Sequence, residues 1–120
     1  MAKIDKFRIS IIESNIIYIA EQIDITDESG AECSRQVIEK AKKLKNDKFL
    51  LIDLTDSEMP PPKARKAYKK MVQVGKFKKI AIFGAITSLR VMAKFITRAG
   101  GLSNLDFFKT KEEALVWLKK

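Results

Sequence analysis

Apolar and polar positions along this chain change their period several times, and each change marks an element. Phe7 to Ile12 and Ile16 to Ile19 are runs rich in β-branched residues, split by Glu13-Ser14-Asn15. They predict a hairpin, with a second strand that could continue to Ile25. Ser29 to Glu32 has the serine-x-x-glutamate form of a capping box. Val37, Ile38, Ala41 and Leu44 follow at helical spacing, and Asn46-Asp47 ends the run. Phe49-Leu50-Leu51-Ile52 is continuously apolar between Lys48 and Asp53, the pattern of a parallel strand covered on both faces. Pro60-Pro61-Pro62 suits a helix entry. Behind it Ala64, Ala67, Tyr68, Met71 and Val72 form an i, i+3, i+4, i+7, i+8 stripe, with Gly75 placed to stop the helix. Ile80 to Phe83 repeats the buried-strand pattern and ends at Gly84. A helix from about Ser88 to Ala99, stopped by Gly100-Gly101, and a short strand from Leu105 to Phe108 come next. Thr110 to Glu113 is a second capping box, opening a last helix with Ala114, Leu115, Trp117 and Leu118 inward.

The resulting order, β-β-α-β-α-β-α-β-α, predicts an α/β sandwich whose sheet is mixed but mostly parallel, with an N-terminal hairpin. A chain of 120 residues makes one domain, 1–120, large enough to bury roughly two-thirds of its unfolded surface. Its one cysteine, Cys33, excludes an internal disulfide and cannot alone build a zinc cluster. No signal peptide and no membrane-length apolar run is read from the sequence, so the expected compartment is the cytoplasm. The chain has no histidine, which removes the commonest general base and the commonest metal ligand. Neither a metal nor a cofactor is expected.

Charge is distributed unevenly. Met1 to Glu58 carries a net −3, Met59 to Leu105 carries eleven basic residues and no acid, and Asp106 to Lys120 carries +1. Lys63, Lys66 and Lys70 share one helical stripe, and Arg90, Lys94 and Arg98 another. If the two helices share a face, the stripes merge. Each such charge beside an anionic membrane is worth about 1 kcal/mol, so weak, salt-sensitive peripheral contact is one reading. A solvated, solubilising surface is the other. Nucleic acid is disfavoured, because no recognition motif and no aromatic series interleaves the charges.

In open α/β sheets, binding surfaces lie beyond the carboxyl ends of the strands. Here those ends are Asp53 to Ser57 and Gly84 to Ser88. The candidate binding or regulatory residues are therefore Asp53, Thr55, Asp56, Ser57, Gly84, Thr87 and Ser88. A basic rim of Lys63, Arg65, Lys66, Arg90, Lys94 and Arg98 would surround them. The plainer alternative is that Asp56 or Ser57 makes turn hydrogen bonds and that Thr87 or Ser88 caps a helix. A response-regulator receiver is rejected: this chain opens with a hairpin and has Glu13-Ser14-Asn15 where a receiver holds its acid pair. Met59, Met71, Met92, Phe95 and Ile96 read either as an apolar ligand pocket or as ordinary core. Cys33, without a histidine partner, reads as a structural thiol, and Trp117 as an anchor for the last helix.

The initial hairpin, then Leu50-Leu51-Ile52-Asp53-Leu54, then Lys79-Ile80-Ala81-Ile82-Phe83-Gly84, carries a resemblance. So does the ending, Phe107-Phe108-Lys109-Thr110-Lys111-Glu112-Glu113-Ala114-Leu115-Val116-Trp117-Leu118. In these features the chain is similar to the SpoIIAA-like branch of the STAS superfamily, which includes anti-sigma-factor antagonists and the cytoplasmic tails of sulfate transporters. The branch also resembles the lipid-carrying CRAL-TRIO domain. The resemblance implies a non-catalytic binding or regulatory module with a protein partner. The alternative it implies is a carrier or sensor of a lipid or other apolar anion, and an enzyme ranks last. A homodimer through a sheet edge stays open. Antagonists of this superfamily are phosphorylated on a serine within Asp-Ser-Ser-Gly. Here Asp56-Ser57 matches two of those positions, but Glu58 follows and no glycine does, so Ser57 is only a candidate acceptor.

Overall fold

The computed structural model describes residues 7–20, 25–55, 57, 60–85, 87, 90–91, 94 and 104–120. The expected helix from Ser88 to Ala99 lies mostly outside these residues. Within that stretch Arg90, Val91 and Lys94 are helical, as is Thr87 just before it.

Strands β1 (Arg8–Ile12) and β2 (Ile16–Ala20) form the hairpin, in register from Arg8 opposite Ala20 to Ile12 opposite Ile16. Glu13, Ser14 and Asn15 form the loop between them, with Glu13 and Ser14 both at positive φ. Helix α1 (Asp27–Lys43) leads to β3 (Phe49–Asp53), and α2 (Pro62–Val74) leads to β4 (Lys79–Phe83). Strand β5 (Leu105–Phe108) and helix α3 (Lys111–Lys119) complete the described elements. The sheet runs β1-β2-β3-β4-β5, antiparallel at the hairpin and parallel everywhere else.

Parallel strands added in chain order through right-handed crossovers place their connecting helices on one face. Accordingly α1 and α2 pack together, and Cys33, Val37, Ala41 and Met71 close over Ile17, Ile19, Leu50, Ile52, Ile80 and Ile82. The alternate residues, Ile16, Leu51, Ala81 and Phe83, point to the other face, where Ala114 and Leu118 of α3 cover them. That is why β3 and β4 are continuously apolar: successive side chains enter two different cores. At the two edges the pattern breaks, with Arg8, Ser10 and Ile11 exposed on β1 and Asp106 exposed on β5.

Three local features differ from the sequence expectation. The capping box of α1 lies one turn earlier: Thr26 Oγ1 accepts the Ser29 N–H at 3.0 Å, and Ser29 Oγ accepts the Thr26 N–H at 2.8 Å. Glu32 instead pairs with Arg35, which holds its carboxyl below the usual carboxylate range. Gly75 stops α2 but not by a left-handed turn. Its φ is −66°, and the left-handed residue is Lys76 at 52°. Gly75 is small because the Phe77 ring occupies its side-chain space, 2.2 Å from where a Cβ would sit. β2 ends at Ala20, and Ile25 lies outside any strand.

Candidate functional site

The carboxyl ends of β3 and β4 lie side by side because the strands pair in register, Asp53 opposite Phe83. Past them, Leu54 N–H donates to the Phe83 carbonyl at 2.9 Å, and Gly84 N–H donates to the Phe108 carbonyl at 3.2 Å. Asp53 Oδ1 accepts the Thr55 N–H at 2.8 Å, bending the chain out of the strand. Ser57 N–H then donates to the Leu54 carbonyl at 3.0 Å, closing a tight turn.

Gly84 joins the two loops. Its φ is +77°, a conformation that favours glycine. A Cβ there would lie 2.2 Å from Thr55 Oγ1 and 3.0 Å from the Thr55 nitrogen. Any side chain at this position would meet both backbone strain and a collision. The structure thus brings Asp53, Thr55, Ser57 and Gly84 together.

Within this group the side chains differ in access. Thr55 is exposed, whereas Ser57 is 3% exposed. Thr87 is exposed and helical just beyond Gly84. Asp56 and Ser88 lie outside the described residues. Of the basic rim, Lys63, Lys66, Arg90 and Lys94 are exposed and Arg65 is half-buried, while Arg98 lies outside the described residues. Lys63, Arg65 and Lys66 occupy the first turns of α2, where Arg65 N–H donates to the Pro61 carbonyl at 3.0 Å. Lys94 reaches back over the sheet edge, its ammonium 5.7 Å from the Phe107 ring centroid.

The other singled-out residues sort by burial. Met71 is 1% exposed and belongs to the core under α1 and α2. Met59, Met92, Phe95 and Ile96 lie outside the described residues. Cys33 is fully buried, and desolvation, followed by the charge of Glu32, pushes its thiol up to about 12. Burial likewise raises Tyr68, with Cys33 adding to the effect. At neutral pH such a thiol stays protonated and is no nucleophile. Trp117 pins α3 as expected: its ring meets Phe108 at 5.4 Å, and the Lys79 ammonium sits 5.1 Å from its centroid. Among the described residues no cluster of acids and cysteine has the grouping of a metal site, and no helix is long and apolar enough to cross a membrane.

The contact between Thr55 and Gly84 is invisible in the sequence, because it depends on the register of β3 against β4. Ser34 is another residue that sequence reasoning missed. It is buried and donates to the Ala67 carbonyl at 2.8 Å, linking α1 to α2. The available signal was a polar residue on the same helical face as Gly30, Val37 and Ala41.

Comparison with known proteins agrees with this architecture. The family model described as SpoIIAA-like matches residues 16–119. Among solved structures, an uncharacterized protein of the DUF3478 family from Shewanella loihica PV-4, with a SpoIIAA-like fold, superposes with a TM-score of 0.65. The two share 20% identity over 93% of this chain and 91% of that one. No curated protein matches the chain. With β2 through α3 inside the matched span, the chain belongs to the SpoIIAA-like family.

Proposed function

We propose that this domain works by binding, without catalysis, and that it engages a protein partner through the joined ends of β3 and β4. The observation that carries the reading is the approach of Gly84 to Thr55. It joins the two loops at one point, and a joined surface needs less ordering when a partner docks. Among the described residues Thr55 and Thr87 are its exposed hydroxyls, and the first turns of α2 add Lys63 and Lys66. Asp53, Asp56 and Glu58 against Lys63, Arg65, Lys66, Arg90 and Lys94 leave the sequence around the joint with a net +2, which favours a partner with an acidic face.

The test is capture of the partner from the source cell by the immobilised domain, compared between variants. Thr55→Arg changes an exposed side chain at the joint, and Lys45→Ala changes an exposed one in the loop after α1. Loss of a specific co-purifying protein with Thr55→Arg but not with Lys45→Ala is the expected result. Equal retention by both variants overturns the placement of the surface. Native mass spectrometry of the same preparation separates the readings: a releasable small molecule would favour the carrier role instead.

A further inference from the structure

A groove of about 470 Å³ runs between the outer sides of α1 and α2, away from the strand ends. Ala31, Ile38, Ala67 and Val74 give it an apolar floor. Val74 is 44% exposed, a large apolar side chain left in water. The groove is preformed, because two contacts fix the separation of its walls. Gly30 lies so close to Ala64 that a Cβ would sit 2.5 Å from the Ala64 Cβ. One turn on, the Ser34 hydroxyl holds the Ala67 carbonyl at 2.8 Å.

The charged residues of the groove are not equivalent. Glu39, its one acid, is already engaged by Arg35 at 2.8 Å, and Arg35 also holds Glu32. Lys42 and Lys70 also line the groove, and neither is in an ion pair among the described residues. Helix α2 carries no acid at all. The lining therefore combines an apolar floor with two uncommitted cations.

We infer that this groove docks an amphipathic helix of a partner protein, whose apolar stripe enters between α1 and α2 and whose flanking carboxylates meet Lys42 and Lys70. The walls are themselves helices, and a third helix packs into such a cleft ridge against groove. The stretch of α1 from Ala31 to Lys42 spans about three turns, so the docked segment needs three to four turns, about 15 residues. A concave cleft with Glu39 on one wall does not suit a flat anionic bilayer.

The test uses the full isotope-labelled chain and a synthetic peptide of about 15 residues with leucine and alanine at i, i+4 and i+7 and glutamate alongside. A twin peptide carries lysine in place of glutamate. The acidic peptide should shift the amide resonances of Ala31, Ile38, Ala67 and Val74. Lys42→Glu combined with Lys70→Glu should weaken it by roughly tenfold or more and bring in the lysine twin. Both positions are exposed, so the fold should survive. If resonance dispersion is lost, Lys42→Gln with Lys70→Gln replaces the pair, with about a threefold loss expected. Equal binding of the two peptides, or shifts centred on Thr55 and Gly84, overturns the inference. So do the same groove shifts on concentrating the protein alone, which would give the groove to a second copy of this chain.

Discussion

The two faces of the sheet are built from the same strands and closed by different means. On one face α1 and α2 lie against each other at a glycine–alanine approach and a serine–carbonyl bond, and the core beneath them contains Ile17, Leu50 and Ile80, each fully buried. On the other face, among the described residues, the nine residues of α3 do the covering with two buried side chains, Ala114 and Leu118. The difference is made up by tethers at its ends. Lys79 Nζ donates to the carbonyls of Trp117 and Lys120 at 2.9 and 3.2 Å, which places a cation at the negative end of the helix. At the hairpin, Lys119 pairs with Glu13 at 2.8 Å. At the other end, the Lys111 ammonium sits 4.6 Å from the Tyr18 ring centroid. A wide interface tolerates small defects, whereas a narrow one concentrates its stability in a few residues.

The largest effect that would sharpen this contrast is expected at Leu118. Leu118→Ala should cost about 3 kcal/mol in chemical unfolding, because it removes one of the two buried anchors of α3. A cost below 1 kcal/mol would mean that the narrow face is not a weak point. Next comes a pH effect confined to the wide face. The Cys33 thiol is pushed up to about 12 when folded, so the folded state holds its proton more tightly than the unfolded chain. Its stabilisation is complete below the ordinary thiol value and is lost as pH rises toward 12. By pH 10.5 the loss should be about 2 kcal/mol. Between pH 8 and 10.5, denaturation of Cys33→Ala should therefore change by about 2 kcal/mol less than that of the natural protein. Equal pH dependence would remove the thiol from the account. The smallest expected effect is at Lys79: Lys79→Met should cost about 1 kcal/mol, through the lost cap and the lost ring contact. Thermal unfolding measures it, and an unchanged midpoint would show the tether to be ornamental.

What could be read from the sequence follows the same contrast. The buried runs at Phe49-Ile52 and Ile80-Phe83, the hairpin and the α2 stripe were legible because each depends on local periodicity. Ala64 and Met71 are indeed buried, and Thr110 does cap α3 by accepting the Glu113 N–H. The start of α1 was not legible, because Thr26-x-x-Ser29 and Ser29-x-x-Glu32 overlap and both are chemically sound. The role of Gly75 was misread for a different reason. Its constraint comes from the Phe77 ring, a contact that no helix-stop rule contains. The loops of the candidate site were placed correctly at strand ends, but their contact was not foreseeable. Thr55 and Gly84 meet only once β3 and β4 have chosen a register.

The strand order of the sheet repeats the order in which the ribosome makes it. Each new strand finds its hydrogen-bonding edge already in place, so none waits for a later segment to pair with. Each parallel pair nonetheless closes a long loop, as between Ile16 and Phe49, so this order sets the sequence of assembly without making the contacts local. The exception is the narrow face. Among the described helices, only Lys111–Lys119, the last to emerge, covers Ile16, Leu51 and Phe83. The growing chain therefore passes through an interval with one finished core and one open apolar sheet, and in that interval it is a natural client for chaperones that recognise exposed apolar surface.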